Sequence, residues 1–275
     1  MPPKAPATGK KIAIIGGGPS GLTCGYYLSN NGHDVTVFES APKAGGWLRY
    51  GIPEYRLPKA TLDREIELMC ANGMKIHTNT AVGSEITLTQ LNAEYDAVYM
   101  AIGAQKAVPM RVKNSDIKGC YLGVDFLREH ALGNKPKVGK TVAVIGGGNT
   151  AIDCARTAKR LGADVTLVYR RTRKEMPAEA YEVDAAEEEG ISMLFLTNPA
   201  EFIGQRKKLK SIKLEKMELG EPDASGRRRP QPTGEFFEQE FDTAIAAISQ
   251  QPDVEFLTED ANKPGGKEFS ITRWL

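Results

Sequence analysis

The chain is short of several things, and each shortage removes a class of function. No apolar run approaches the ~18 residues of a membrane-spanning helix, because glycine or charge interrupts every hydrophobic segment. Its four cysteines, Cys24, Cys70, Cys120 and Cys154, lie far apart, so no C-x-x-C pair exists for a zinc site, a redox disulfide or an iron–sulfur cluster. There are only three histidines, His33, His77 and His130, and none falls in a pattern that suggests a catalytic dyad or a metal ligand set. With 36 basic and 35 acidic residues the net charge is +1, which gives no electrostatic reason for a nucleic-acid partner. The opening MPPKAPATG lacks the apolar core of a secretory signal. Together these absences point to a cytoplasmic protein with reduced thiols, no metal centre of its own and no membrane span.

Glycine, by contrast, is plentiful and patterned. Lys11–Ile15 is the apolar, β-branched run of a strand buried on both faces of a parallel sheet. Gly16, Gly18 and Gly21 follow as G-x-G-x-x-G: the first permits a tight turn, the second lets a pyrophosphate approach the backbone, and the third lets helix pack on strand. The helix that starts at Pro19 and Ser20 turns its free N–H groups toward the phosphates, and Asn31-Gly32 stops it. Asp34–Phe38 reads as a second buried strand. Glu39 ends it, where a carboxylate accepts the ribose hydroxyls of an adenosine.

Residues 40–59 are rich in glycine and proline and are expected to form a long ordered loop without regular structure. Gly45 and Gly46 offer bare backbone beside the acid, and Trp47, Leu48, Gly51, Ile52 and Arg56 extend the candidate contacts with a nucleotide. An amphipathic helix over 59–72 and a short strand near 75–78 come next. A buried strand is then expected over 95–103, whose small residues Ala101 and Gly103 carry the chain past a ligand.

After a mixed stretch with one helix over 123–132, the opening pattern returns. Residues 140–151 mirror 11–21, and 162–168 mirror 32–38. In this second copy Gly146 and Gly148 are kept, Asn149 and Thr150 open the helix, and Ala151 replaces the third glycine, setting helix and strand slightly further apart. Tyr169 stands where the first copy has Glu39, followed by Arg170 and Arg171. A carboxylate there repels a 2′-phosphate, whereas two guanidiniums bind one with charge-assisted hydrogen bonds. The first copy therefore suits FAD or NAD, and the second NADP(H) ahead of NAD(H). Residues 180–189 read as an acidic helix with a solvated outer face, and strands near 193–196, 209–217 and 236–241 as an antiparallel set. Arg227, Arg228 and Arg229 sit in the polar link between the last two strands and are expected to be solvated. Residues 242–248 form a last apolar strand.

These pieces resemble the family of the glutamate synthase small (beta) subunit, which also includes the flavin domains of dihydropyrimidine dehydrogenase and of bifurcating ferredoxin:NADP oxidoreductases. The resemblance spans about residues 10–255 and rests on IIGGGPSGL, YGIPEYRLPK, VIGGGNTAIDCAR and VYRRTRKEMPA. It implies an α/β fold of two Rossmann-like domains, the NADP(H) domain inserted into the FAD domain, with parallel sheets and antiparallel crossover strands. The expected division is an FAD-binding part over 10–105, a connecting segment over 106–138, an NAD(P)H-binding domain over 139–250, and a return segment over 251–275 that leaves the FAD domain incomplete. The implied activity is an NADPH-linked flavin oxidoreductase module that passes electrons to iron–sulfur centres on a partner protein or larger oxidoreductase subunit. No side chain acts as a catalytic acid or base in that scheme. The rival expectation is a non-catalytic or truncated nucleotide-binding subunit with a docking role in such a complex.

Overall fold

The computed structural model describes residues 2–222, 224 and 226–256. The described residues divide into two compact units: 2–50, 54–106 and 251–256 form the first, and Gly51–Pro53 with 107–250 form the second. Of the return segment expected over 251–275, residues 257–275 lie outside the described residues.

The first unit runs β1 (Lys11–Ile15), α1 (Pro19–Asn30), β2 (Asp34–Phe38), α2 (Trp47–Tyr50), α3 (Lys59–Cys70), β3 (Lys75–His77), α4 (Leu88–Glu94) and β4 (Ala97–Met100). Its sheet is parallel throughout, in the order β3-β2-β1-β4. Alternation along β1 divides the core between the two faces. Ile14 packs with Val35, Val37, Leu22 and Met74 on one side, and Ala13 and Ile15 pack with Phe38, Leu88 and Leu91 on the other. Each such side chain contributes about 1.5–3 kcal/mol by burial. Proline in the first turn starts α1, and a Thr87–Gln90 capping box starts α4.

Two expectations for this unit need correction. The loop over 40–59 contains one helical turn, α2, held by the buried Arg49, whose Nε donates to the Ala44 carbonyl at 2.5 Å. The strand expected to be buried over 95–103 is shorter and more open: Ala97, Tyr99 and Met100 of β4 are exposed. Among the described residues β4 is the last strand in the sheet order and pairs with β1 alone, which leaves its other edge open.

A two-residue strand, β5 (Lys106–Ala107), stands at the boundary. The second unit then runs β6 (Cys120–Leu122), α5 (Gly123–Ala131), β7 (Thr141–Ile145), α6 (Asn149–Arg160), β8 (Asp164–Val168), a 3-10 turn (Arg173–Glu175) and α7 (Ala180–Glu188), followed by β9 (Ser192–Leu194), β10 (Thr197–Gln205), β11 (Lys208–Pro222), β12 (Arg228–Glu240), β13 (Thr243–Ala246) and β14 (Gln250–Gln251). A parallel sheet in the order β6-β13-β7-β8-β9 is the core. Its Val142, Val144, Val165 and Leu167 face α6 and α7, while Ala143, Ile145, Val168 and Ala244 face the antiparallel sheet β10-β11-β12 through Phe202, Ile212 and Leu214. The two Rossmann-like sheets and the antiparallel crossover strands match the expected fold class.

The details again differ. The stretch 106–138, read as a connector, supplies β6 and α5 to this sheet. The first strand of the expected antiparallel set is instead β9, parallel to β8, and the antiparallel set is β10, β11 and β12. The acidic helix α7 is more than a solvated face: Glu182, Val183 and Ala186 are buried against α6, where Arg156 reaches Glu182 at 2.5 Å and Glu189 at 2.8 Å.

Candidate functional site

In the first unit the chain closes around the turn that joins β1 to α1. A Cβ placed on Gly21 would lie 1.9 Å from the Gly16 carbonyl oxygen, and one on Gly16 would lie 2.4 Å from that of Ala101. Helix, turn and the end of β4 therefore meet at backbone contact, which only glycine allows. Gly45 donates to the Gly17 carbonyl at 2.7 Å, and Gly46, at φ +51, brings its backbone against Gly18. The Glu39 carboxylate is buried beneath, accepting from the Gly17 amide at 2.8 Å and from the Ala41 amide at 2.7 Å. An ionised carboxylate has about four acceptor positions, so two amides leave capacity for ribose hydroxyls.

No side chain caps α1 at Gly18. The amides of Gly18, Ser20 and Gly21 thus head the helix with no intrahelical acceptor, which is what a phosphate needs. Gly16, Gly18, Gly21, Glu39, Gly45, Gly46 and Ala101 are gathered at one place. Pro19 and Ser20 are exposed at the helix start, with Ser20 Oγ 3.0 Å from the Tyr99 hydroxyl. Trp47 and Leu48 lie on α2, half-buried, and Arg56 follows in the same unit, also half-buried. Gly51 and Ile52 group with the second unit, and Gly103 is exposed, where an added Cβ would lie 3.9 Å from the Gln105 side-chain nitrogen. The Lys59 ammonium donates to the Leu48 and Leu57 carbonyls at 3.2 and 2.9 Å.

The second unit repeats this device with different parts. Gly146 presses on the Ala247 carbonyl, where an added Cβ would approach to 2.3 Å, much as Gly16 presses on Ala101. Here α6 also starts without a side-chain cap, at Gly148. Beneath the turn Tyr169 takes the place of Glu39. Its ring packs against Gly147 and its hydroxyl donates to the Glu175 carbonyl at 2.8 Å. The Asn149 side chain accepts from the Glu179 amide at 3.0 Å, and Thr150 Oγ1 meets the Gln250 amide group at 3.3 Å. Ala151 is fully buried at the turn.

A cleft of about 600 Å³ opens over the turn, walled by Gly148, Thr150, Arg170, Arg171, Arg111 and Arg227. Arg170 is exposed, whereas Arg171 is 5% exposed and its Nε donates to the Arg228 carbonyl at 2.7 Å. Arg111 and the loop after β13 were not expected here; of the three arginines expected to be solvated, Arg228 and Arg229 are exposed, while Arg227 is half-buried in the cleft wall. The loop after β13 was discoverable, because β13 occupies the position that β4 holds in the first copy.

Burial pushes the Cys120 thiol up to about 11 and the Cys154 thiol well above its ordinary value, and all four cysteines are unbridged. His33 is engaged by Thr8 at 2.8 Å, and burial lowers the pKa of His130. Among the described residues no group of three His, Cys, Asp or Glu is placed to hold a metal, and no helix is long and apolar enough to cross a membrane.

Comparison with known proteins agrees with the motifs. The chain is 44% identical over 285 residues to the NADPH-Fe(3+) oxidoreductase subunit beta of Geobacter sulfurreducens, covering 100% of this chain and 41% of that protein. It is 40% identical over 235 residues to the glutamate synthase [NADPH] small chain of Escherichia coli, covering 81% of this chain and 50% of that one. The chain thus spans half or less of the length of these two curated relatives. Among solved structures, Mycobacterium tuberculosis FprA in complex with NADPH superposes with a TM-score of 0.77 at 21% identity, covering 88% of this chain and 71% of that one, a likeness of fold. Residues 10–267 match the pyridine nucleotide-disulphide oxidoreductase model, and the chain belongs to that family.

Proposed function

We propose that the chain is an NADPH-linked flavin oxidoreductase module that binds FAD in its first unit and NADP(H) in its second, and delivers electrons to an iron–sulfur partner or larger oxidoreductase subunit. The observation that carries this reading is the contrast between two equivalent turns. One is underlain by the Glu39 carboxylate, and the other is flanked by Arg170 and Arg171. A carboxylate favours the free ribose hydroxyls of FAD and repels an added phosphate, whereas guanidiniums favour the 2′-phosphate.

In the first unit Gly16, Gly18, Gly21, Gly45 and Gly46 keep side chains away from the helix start, and the Gly18, Ser20 and Gly21 amides are left to bind the pyrophosphate. In the second, the Gly148, Asn149 and Thr150 amides have the same task. The bound flavin supplies the exchange between a hydride and single electrons, so the chain needs no acid or base of its own for that step. The relatives support NADPH as the coenzyme, since the names of two of them specify it. Their names also describe subunits or chains, which supports a partner oxidoreductase.

The test is a visible spectrum of the purified chain after incubation with FAD, followed by anaerobic addition of NADPH. Retained flavin absorption that bleaches with NADPH, and more slowly with NADH, is the expected result. No retained flavin refutes the enzyme reading for this chain and leaves the docking-subunit reading in its place.

A further inference from the structure

We propose that the tip of the β11–β12 hairpin is one jaw of the coenzyme site, and that Arg229 on it selects a 2′-phosphorylated adenosine. The inference rests on the reading of the second unit as the NADP(H) site and adds a residue far along the chain to it.

The tip is fastened to the end of β8. Arg171 Nε donates to the Arg228 carbonyl at 2.7 Å, and Arg171 is nearly fully buried in doing so. The Arg228 guanidinium turns back across the hairpin, bonding the Gly220 carbonyl at 3.2 Å and the Leu219 carbonyl at 2.5 Å. Arg228 therefore closes the tip, a structural task. Its neighbours do something else: Arg227 lines the cleft over the glycine turn, and Arg229 lines a second cleft of about 700 Å³. Arg170 and Arg171 line both clefts, so they form a common wall between them. One ligand lying along the end of β8 can touch both sides of that wall.

Among the described residues, the second cleft brings together Arg170, Arg171 and Arg229 with the carboxylate of Glu221 and the side chain of Gln231. Three guanidiniums exceed what a neutral ribose edge uses, and their planar forks match phosphate oxygens. No ion pair is recorded for Arg229 among the described residues. A dinucleotide without the 2′-phosphate has only hydroxyls to offer here, so loss of Arg229 penalises the phosphorylated coenzyme selectively.

The experiment titrates adenosine 2′,5′-bisphosphate and 5′-AMP by calorimetry into the full chain, comparing wild type, Arg229→Gln and Arg229→Lys. The expected result is tighter binding of the bisphosphate by wild type, about a tenfold loss of that binding in Arg229→Gln, unchanged 5′-AMP binding, and partial recovery in Arg229→Lys. If wild type prefers the bisphosphate and Arg229→Gln keeps the full preference, the hairpin assignment falls while the NADP(H) reading stands. Equal losses on both probes also overturn it, because Arg229 then supports the cleft and not the phosphate. A wild type with no preference overturns both readings.

Discussion

The amide of Gly17 donates to one oxygen of the Glu39 carboxylate at 2.8 Å, and the amide of Ala41 donates to the other at 2.7 Å. The acid at the end of β2 thus fixes the shape of the turn before any ligand arrives. The second unit reaches a similar turn by another route, with the Tyr169 ring packed beneath Gly147. One device leaves a negative charge in the site and the other does not. This difference separates the two proposed coenzymes more firmly than the glycines that both turns share.

Replacing Glu39 therefore tests the first site. In Glu39→Gln one of the two amides faces an NH2 group in place of an acceptor, at a cost of about 1–3 kcal/mol for the buried donor. FAD binding, followed by the change in flavin fluorescence, is expected to weaken by about tenfold or more, while NADP+ binding to the second unit stays unchanged. Unchanged FAD affinity sinks the assignment of this turn to FAD.

Gly147 tests the second device. A Cβ there would lie 2.4 Å from the Tyr169 ring, so Gly147→Ala forces the ring out of place and is expected to cost about 1–3 kcal/mol. Tyr169→Leu removes the ring and should restore most of that loss in the double variant, beyond the sum of the single effects. Urea denaturation of the four proteins measures the coupling, and strict additivity counts against the contact.

The sequence made the β1-α1-β2 and β7-α6-β8 segments legible because their determinants are local: a glycine turn, apolar strands and a helix start within about thirty residues. The base of the β11–β12 hairpin was legible as strands near 209–217 and 236–241, but its outer part, read as a polar link, was not. Pro230 and Pro232 argue against a strand, yet β12 runs through them as the outer strand of the order β10-β11-β12, and Pro222 falls on the last residue of β11. Likewise, the bond that brings Arg228 to Arg171 joins residues 57 apart, and nothing in the spacing announces it. The apolar run in β4 suggested a buried strand, but composition does not tell how many neighbours a strand has, and among the described residues β4 pairs with β1 alone.

Arg156 anchors the second unit by linking α6 to α7. It meets Glu182, with side chains 11% and 7% exposed, and Glu189 at 2.8 Å. Arg156→Ala removes the guanidinium facing the buried Glu182 and is expected to cost about 3–5 kcal/mol. Burial alone would raise the pKa of Glu189, but hydrogen bonds from Arg156 and Arg160 outweigh it and hold the carboxyl below its ordinary 4.5. A lowered folded-state pKa gives stability that is present above the unfolded value and lost as pH falls through the folded one. Acid unfolding followed by circular dichroism should therefore begin at higher pH in Glu189→Gln than in wild type. Coincident acid transitions contradict this role.

Glu221 lines the hairpin cleft together with Arg170, Arg171 and Arg229. In the free protein it offsets part of the positive charge, and when a phosphate enters it opposes the ligand. Glu221→Gln keeps the shape and removes the charge. It is expected to tighten binding of adenosine 2′,5′-bisphosphate by about two- to fivefold at low salt, as a like-charge term in partly solvated surroundings allows. The gain should shrink at an ionic strength near 0.15 M, where the screening length is about 8 Å, and 5′-AMP should show little of it. Calorimetric titration at the two ionic strengths reads both effects. A gain that persists undiminished in salt, or appears equally with 5′-AMP, is not electrostatic repulsion of a 2′-phosphate and counts against placing that phosphate beside Glu221.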